Sequence, residues 1–375
     1  GPPLTCVANV LADRIGLSDG TLALTDVANG TSERRAIHAA QHTDCIEPVM
    51  AWLAHRFKVT DIVGVGHRVV HGGHRYGQPH VITPDVMSEL RRMSPYDPEH
   101  LPAEIDIIEV CSRLYPGLPQ VACFDTDFHR DMPRVARLLP IPLRYEAAGV
   151  HRYGFHGLSY AYVMEELGRL APQEAQGLVI LAHLGNGASM AAVRGGKSID
   201  TSMGFTPTSG LPMSTRSGDL DPGLMSYLSR TEGMTVEQFH RMVNHQSGLL
   251  GISEISSDLR DLLASERHDP RAADAVSLFC YQAKKQIGSF AAALGGLDAV
   301  VFSGGIGENS PVIRSRICEG LGFLGMTMDD TRNGAGEAVI STEGSRVTVR
   351  VIHTDEEREI AQSVFHVLAA DPRER

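Results

Sequence analysis

Cysteine and tryptophan are scarce in this chain of 375 residues, which has six cysteines and one tryptophan. The cysteines are dispersed and form no Cys-x-x-Cys pair, so we expect neither a disulfide framework nor a cysteine-ligated zinc site. Long apolar runs are also missing. Because no stretch is long enough to cross a bilayer and no basic, apolar leader opens the sequence, we expect a cytoplasmic protein with no membrane partner.

Positive charge is in deficit too. Lysine and arginine together number 34 against 45 acidic residues, which gives a formal net charge of -11. A nucleic-acid partner requires a basic face, so this balance argues against one. An anionic small molecule would have to be held by local arginines and backbone N–H groups rather than by the overall field of the protein. The composition is otherwise that of a globular protein long enough for two domains.

Two glycine-rich stretches each follow an apolar strand pattern. The first, Gly185-Asn186-Gly187, separates two apolar strands, and alone it would be interpreted as an ordinary β-hairpin turn. The second, Gly304–Gly307, lies between a β-branched run and a predicted helix from Pro311, and it matches neither a P-loop nor a Gly-x-Gly-x-x-Gly fingerprint. Bare backbone at strand ends lets N–H groups approach phosphate oxygens. Together the two stretches indicate a nucleotide site of another fold.

Hydrophobic periodicity predicts strands and helices along the whole chain. An antiparallel meander followed by alternating helix and strand implies an α/β fold with a mixed sheet flanked by helices. Strands are predicted at 7–17 and 20–26, joined by a Ser-Asp-Gly turn, and at 61–73 including a final turn, 120–129, 177–184, 188–193, 197–202, 297–303 and 345–354. Helices are predicted at 44–58, 84–92, 101–115, 159–170, 272–294, from 311 and after 355.

Several short motifs follow one another in an order that is specific as a set, although each would be weak alone. On these motifs the sequence resembles the acetate kinase family, within the superfamily of actin, Hsp70 and sugar kinases, over nearly its whole length. The motifs are Gly66–Gly73, Phe124–Thr126, Tyr153–Gly157, His183–Gly187, Thr201–Pro207, Thr215–Pro222, Ser257–Arg260, Gly304–Asn309 and Thr354–Glu357.

The resemblance implies two ribonuclease-H-like domains, each a mixed β-sheet flanked by helices, that close on a nucleotide cleft. The N-terminal domain, for acyl substrate and phosphate, would comprise residues 1–127 with the returning helix 358–375. Residues 128–357 would form the nucleotide-binding domain, through which the family forms homodimers. The family opens with a strand and an Asn-x-Gly-Ser-Ser-Ser turn that have no counterpart here, so we expect the first strand to be absent from the sheet.

The resemblance also assigns roles to individual residues. The predicted catalytic residues are Arg68, Asp125, His156 and Arg216. The predicted nucleotide-binding residues are His183, Asn186, Gly187, Asp258, Leu259, Arg260, Gly305, Ile306, Gly307 and Asn309. The predicted acyl pocket comprises Val70, Tyr96, Phe155 and Pro207, and the predicted metal ligands, direct or through water, are Asp125 and Glu356.

The reaction implied is a reversible, in-line phosphoryl transfer from ATP to acetate or propionate, giving ADP and an acyl phosphate. Magnesium is the expected metal, with manganese as an alternative. Such chemistry requires alignment and charge stabilisation, which arginine's planar fork supplies, and a carboxylate acceptor needs no general base. Two other hypotheses stay open: a nucleotide-binding protein of this fold without kinase activity, and a sugar or polyol kinase.

Four of the assigned residues also have a simpler interpretation. His156 could be satisfied within a turn, and Arg68 and Arg216 could form ordinary surface ion pairs. The charge of Glu356 could serve the dipole of the last helix, and Glu357 could compete for its role. His67, His71 and His74 resemble a metal cluster in sequence, but strand alternation and the following glycines argue against a zinc site.

Two further departures from the family pattern concern the acyl pocket and the predicted metal ligand. The family's usual Ala-Pro-Leu-His-Asn-Pro is replaced by Ser94-Pro95-Tyr96-Asp97-Pro98, so Tyr96 could narrow the acyl pocket or hydrogen-bond a substrate. Asp355 replaces a usual asparagine and adds a charge beside the predicted metal carboxylate. A short-chain carboxylate is therefore a firmer expectation than acetate itself.

Overall fold

The computed structural model describes residues 4–13, 15 and 20–370, and the chain divides into two compact units. The first unit comprises residues 1–127 and 356–375, and the second comprises residues 128–355. The prediction placed the return to the first unit at residue 358. In the structure Glu356 already belongs to that unit because the last helix begins there.

The first unit opens with a three-stranded antiparallel sheet formed by β1 (Ala8–Asp13), β2 (Thr21–Asp26) and β3 (Thr31–Ala36). Leu22 and Leu24 of β2 pack against Trp52 beneath the sheet. The predicted Ser-Asp-Gly turn falls largely outside the described residues. β3 was not predicted, because Thr-Ser-Glu-Arg-Arg-Ala carries no apolar alternation; the ladder with β2 supplies its strand conformation.

A second sheet in this unit has the order β4-β6-β5, formed by β4 (Val65–Val69), β5 (His80–Val81) and β6 (Gln120–Phe124). β4 and β6 are parallel, with Arg68 opposite Cys123, so their carboxyl ends lie at the same edge. Every residue of β6 is buried. This edge positions the side chains that follow the two strands.

The first unit also contains helices packed against its sheets. The predicted helix 44–58 is shorter in the structure, because the amides of Arg56 and Phe57 both bond to the carbonyl of Leu53 and close its last turn. The α-helices are Ile46–Ala54, Pro84–Met93, Leu101–Leu114 and Glu356–Ala370, and 3-10 helices span His42–Cys45, Val59–Asp61 and Ser94–Tyr96.

The second unit is built on a five-stranded sheet. Its strands are β7 (Leu178–Leu184), β8 (Ala188–Arg194), β9 (Lys197–Thr201), β10 (Ala299–Ser303) and β11 (Thr348–Val351), in the order β11-β10-β7-β8-β9. β7, β8 and β9 form the predicted antiparallel meander, whereas β10 runs parallel to both β7 and β11. The predicted mixed sheet flanked by helices is confirmed.

Helices cover this sheet, and Asp269 and Gly295 cap the ends of the longest of them. The α-helices are Arg134–Arg137, Arg144–Ala147, Gly157–Leu170, Pro172–Ala175, Gly223–Glu232, Val236–His245, Gly248–Ser253, Leu259–Ser265, Pro270–Leu294, Gly304–Asn309, Pro311–Cys318 and Asp330–Ala335. The glycine-rich stretch from Gly304, which no predicted helix covered, is thus itself a short helix. None of the helices in the described part of the chain has the length and hydropathy that a bilayer span requires.

Candidate active site

The Gly185-Asn186-Gly187 turn joins β7 to β8 in the second unit and brings two predicted catalytic side chains together. The N–H of Gly185 donates to the carbonyl of Gly187 at 2.9 Å and closes the hairpin. A Cβ at Gly187 would lie 3.0 Å from Nε2 of His156 and 3.7 Å from Nη1 of Arg216. Both side chains therefore lie beside the Cα of Gly187. A larger residue at this position would displace them.

His156 precedes the helix Gly157–Leu170 in a left-handed conformation, with φ of 60°. Its Nδ1 lies 2.8 Å from Oγ of Ser189, and its ring stacks on that of His183 with the centroids 4.4 Å apart. One nitrogen thus has a buried partner, as the turn interpretation expects, while the other faces Gly187. A non-glycine residue in this conformation is uncommon and marks a site held by its surroundings.

Arg216 belongs to a loop fixed by backbone contacts. The N–H of Met213 donates to the carbonyl of Arg216, and a Cβ at Gly248, whose φ is positive, would lie 2.1 Å from the carbonyl of Met213. Nη1 of Arg216 donates to the carbonyl of Pro207 at 3.3 Å, which joins a predicted pocket residue to a predicted catalytic one.

The second glycine-rich stretch adjoins the first. β7 and β10 are parallel, so both stretches leave the sheet at neighbouring strand ends. A Cβ at Gly185 would lie 3.8 Å from the nitrogen of Gly305, and one at Gly304 would lie 2.8 Å from the carbonyl of Leu184. Nδ2 of Asn309 donates to the carbonyl of Gly305 at 2.9 Å. The structure therefore brings the two predicted nucleotide-binding stretches together.

Glu308 was missed by the sequence analysis, yet its carboxylate fixes this region. It accepts the N–H of Gly304 at 2.8 Å and that of Thr354 at 3.0 Å, and it lies 2.8 Å from Nδ1 of His353. The sequence did contain a signal for this role, because Glu308 follows Gly304 by four positions. At that spacing on a helix a carboxylate can reach back to an unpaired N–H of the first turn.

The remaining predicted nucleotide residues lie at and beside another helix start. Asp258 caps the helix Leu259–Ser265 by accepting the N–H of Arg260, and its carboxylate also pairs with the guanidinium of Arg260. Leu259 is buried. Ile306 and Gly307 belong to the helix Gly304–Asn309 already described. The adenosine-lining role of these residues stays a prediction.

In the first unit Arg68 of β4 meets a set of carboxylates. Asp125, directly after β6, accepts Nε of Arg68 at 3.2 Å and Nη2 at 2.5 Å, while its own N–H donates to the carbonyl of Val69. Oε2 of Glu356 lies 3.9 Å from Nε, and Oε1 of Glu104 lies 4.0 Å from Nη1. Arg68 is thus ion-paired, as its simpler interpretation holds, but all three carboxylates are more buried than Arg68 itself.

The electrostatics of this cluster are unusual. Burial, and then the charge of Asp125, raise the pKa of both Glu104 and Glu356 to about 7. The hydrogen bond from the N–H of Val70 and the charge of Arg68 oppose the shift of Glu104, and Arg68 opposes that of Glu356. The same carboxylates, Asp125 foremost, raise the pKa of Arg68 above its ordinary value. Three carboxylates surround one guanidinium, so the fully ionised cluster carries excess negative charge. Sequence spacing gave no signal for Glu104, which lies on a helix remote in the chain.

These carboxylates surround Arg68 rather than converge on one point. Over the described residues, no group of three or more histidine, cysteine, aspartate and glutamate side chains is arranged to hold a metal ion, and the His67, His71 and His74 set forms no such group. Asp125 and Glu356 nevertheless supply the oxygen chemistry that Mg²⁺ prefers, beside an excess of negative charge.

The predicted acyl-pocket residues are divided between the units. Val70 is buried, and its N–H donates to Oε2 of Glu104 at 2.9 Å. The ring of Tyr96 meets the imidazole of His71 edge-on, with centroids 5.7 Å apart. Phe155, also buried, and Pro207 belong to the second unit. The composition of the pocket stays a prediction.

Comparison with known proteins decides the family. Residues 4–362 match the model of the Acetokinase family. The chain belongs to the acetokinase family. Acetate kinase of Thermoanaerobacterium thermosaccharolyticum is 44% identical to it over 373 residues, covering 96% of this chain and 93% of that protein. Acetate kinase of Bacillus cereus is 42% identical over 374 residues, covering 98% and 94% respectively.

Solved acetokinase-family structures agree with this fold. The crystal structure of Porphyromonas gingivalis acetate kinase matches with a TM-score of 0.87 at 37% identity, covering 96% of this chain and 93% of that one. A propionate kinase from Francisella tularensis matches with a TM-score of 0.89 at 37% identity, covering 95% and 92%. The predicted family and the predicted α/β fold are confirmed.

Proposed function

We propose that this acetokinase-family protein phosphorylates a short-chain carboxylate with ATP, reversibly giving ADP and an acyl phosphate. The observation that carries the proposal is the meeting of His156 and Arg216 at Gly187, beside a second glycine-rich strand end. Family membership over residues 4–362 and relatives named acetate kinase and propionate kinase support the same chemistry.

The transfer requires no general base on the protein. An oxygen of the acceptor carboxylate attacks the γ-phosphorus of ATP, and the bond to the β,γ-bridging oxygen breaks, leaving its electron pair on ADP. Charge spreads over the equatorial oxygens of the phosphoryl group on the way. Arg216 and His156 are the donors that we assign to those oxygens, because both face the Gly187 turn.

The nucleotide is assigned to the second unit. Backbone N–H groups at Asn186 and Gly187 would hold its phosphates, and Gly305–Gly307 with Asp258–Arg260 would line its adenosine. Bare glycine Cα atoms at two adjoining strand ends support this placement, since they permit the close approach that phosphates require.

Arg68 and its carboxylates are assigned to the acceptor and the metal. The fork of Arg68 would bind the acceptor carboxylate or the phosphoryl group. Asp125 and Glu356 would hold Mg²⁺, or Mn²⁺, directly or through water, and the cation would neutralise phosphate charge during the transfer. The three carboxyl groups around Arg68, which carry excess negative charge when all are ionised, support a cation at this edge.

The acceptor is assigned to the short-chain class through Val70, Tyr96, Phe155 and Pro207, with acetate and propionate as the candidates. Acetate and propionate differ by one methylene, and an apolar pocket discriminates between such substrates by only about 1–3 kcal/mol of transition-state binding free energy. Both acids should therefore react. A homodimer in the cytoplasm is the expected assembly and location, in line with the family resemblance.

The test is an acyl-phosphate trap. The purified protein is incubated with ATP, Mg²⁺, hydroxylamine and one of acetate, propionate, butyrate or glycerol. Acetate and propionate should give hydroxamate with matching ADP release. ADP release with glycerol alone would favour a polyol kinase, and ATP binding without turnover of any acceptor would favour a non-catalytic nucleotide-binding protein. Either result would overturn the proposal.

A further inference from the structure

Two chains of hydrogen-bonded side chains end on the stacked histidines of the second unit. In the first, the hydroxyl of Tyr160 lies 2.5 Å from Oγ of Ser189, which lies 2.8 Å from Nδ1 of His156. In the second, Oγ1 of Thr354 lies 2.8 Å from Oγ of Ser159, which lies 2.7 Å from Nδ1 of His183. In both rings, therefore, Nδ1 is the nitrogen held by a serine.

The other nitrogen of each ring faces the glycine turn. A Cβ at Gly187 would lie 3.0 Å from Nε2 of His156, and one at Gly185 would lie 3.9 Å from Nε2 of His183. Nη1 of Arg216 lies beside the same Gly187 position. The protonation of Nε2 on His156 thus decides whether this ring offers the turn a donor or an acceptor.

The Tyr160–Ser189 part of the first chain is buried, since both residues are fully shielded from solvent. Each hydroxyl has one proton to give. A phenol is far more acidic than an aliphatic alcohol, so it is the stronger donor of the two. When Tyr160 donates to Ser189, the single proton of Ser189 goes to Nδ1 of His156. The proton of the neutral imidazole is then on Nε2.

We propose that Ser189, supported by Tyr160, is a positioning residue that holds His156 as the neutral tautomer with its N–H on Nε2, aimed at the Gly187 turn. The inference rests on the proposed function, in which that N–H meets an equatorial phosphoryl oxygen. The opposite tautomer would present a lone pair to an anionic group and would repel it. Ser189 therefore acts on the reaction only through His156.

The kinetic test compares four variants with the wild-type enzyme. Ser189→Ala should lower kcat roughly 10- to 100-fold, because a misoriented group loses most of its contribution, and should change KM for ATP and for the acid less than about threefold. Ser189→Thr keeps the hydroxyl and should restore kcat to within about threefold. Tyr160→Phe should give a smaller loss than Ser189→Ala. Ser341→Ala removes a buried serine hydroxyl that accepts the N–H of Val349, and it should leave kcat unchanged.

A spectroscopic test does not depend on activity. Long-range ¹⁵N–¹H correlation spectra report which imidazole nitrogen carries the proton, and the resonances of His156 are assigned by their loss in His156→Gln. The wild-type protein should show the proton on Nε2, and Ser189→Ala should show a mixture of tautomers. Protonation of Nδ1 in the neutral wild-type ring, or a Ser189→Ala enzyme with unchanged kcat, would overturn the inference. Failure of the wild-type protein to phosphorylate any acid, with the expected tautomer in place, would overturn the proposed function alone.

Discussion

Adding one methyl group at Gly187 should lower the rate of catalysis while changing the stability of the fold only slightly. In Gly187→Ala the new Cβ would lie 3.0 Å from Nε2 of His156 and 3.3 Å from Cε1 of the same ring. These distances are several tenths of an ångström shorter than ordinary van der Waals contact. The backbone at Gly187 does not have the positive φ that favours glycine, so the conflict is one of space alone.

The ring of His156 must therefore move, and its Nδ1 contact with Ser189 at 2.8 Å must stretch or turn. Overpacking of this kind costs about 1–3 kcal/mol of unfolding free energy. A displacement of 1 Å at a catalytic group costs roughly 10²-fold in rate, so a displacement of several tenths of an ångström should cost roughly 10-fold. We expect kcat for acyl-phosphate formation to fall on the order of 10-fold, while thermal unfolding shifts by only a few degrees.

Gly168→Ala is the matched control. Gly168 lies inside the helix Gly157–Leu170, and a Cβ there would meet nothing within 4 Å. The change should leave kcat unaltered and stabilise the protein by about 0.5–1 kcal/mol, because alanine is the better helix former. Wild-type kcat in a folded Gly187→Ala enzyme would refute the placement of the phosphoryl group at this turn.

Three further predictions concern single side chains of the second unit. Arg216→Ala should lower kcat on the order of 10²- to 10³-fold, as loss of one transition-state donor does, and unchanged turnover in steady-state assays would remove Arg216 from the mechanism. Glu308→Ala should cost about 1–3 kcal/mol of unfolding free energy, because Oε1 of Glu308 accepts the N–H groups of both Gly304 and Thr354 and alanine leaves them without that acceptor; an unaltered midpoint in thermal unfolding would contradict that role. Burial lowers the pKa of His129 to about 4, so the neutral ring favours the folded state above the ordinary value near 6.5, and that stability is lost as pH falls from about 6.5 to 4. Unfolding free energy should therefore drop by up to about 3 kcal/mol more in the wild type than in His129→Gln over that range, and equal slopes would refute it.

Local pattern was sufficient for much of the fold. The apolar runs on either side of Gly185-Asn186-Gly187 predicted the β7–β8 hairpin, because both strands are buried and the turn needs small residues. The same reasoning failed at Gly304–Asn309. This segment is a helix, but its three glycines have low helix propensity, so its composition does not predict one. There the carboxylate of Glu308 accepts the N–H of Gly304 and stabilises a helix that composition disfavours.

The candidate site was predictable only where a motif carried it. His156 and Arg216 lie in motifs, and the structure brings both to Gly187. Glu104 and Ser189 contact Arg68 and His156 from elements 36 and 33 residues away, and neither contact follows from spacing along one helix or strand. Such partners become visible only once the sheet and its helices are assembled.

The ion pair between Arg68 and Asp125 is compatible with the anion binding that we propose for Arg68. Asp125 occupies Nε and Nη2 and is almost fully buried, whereas the side chain of Arg68 is 41% exposed. A buried carboxylate therefore fixes the orientation of a guanidinium whose side chain is partly exposed. An anion that binds there meets a preorganised fork and loses less entropy than it would with a free arginine. Glu104 and Glu356 add negative charge at the same place when they are ionised. An anion therefore gains net attraction to Arg68 only when a proton or a cation offsets that charge.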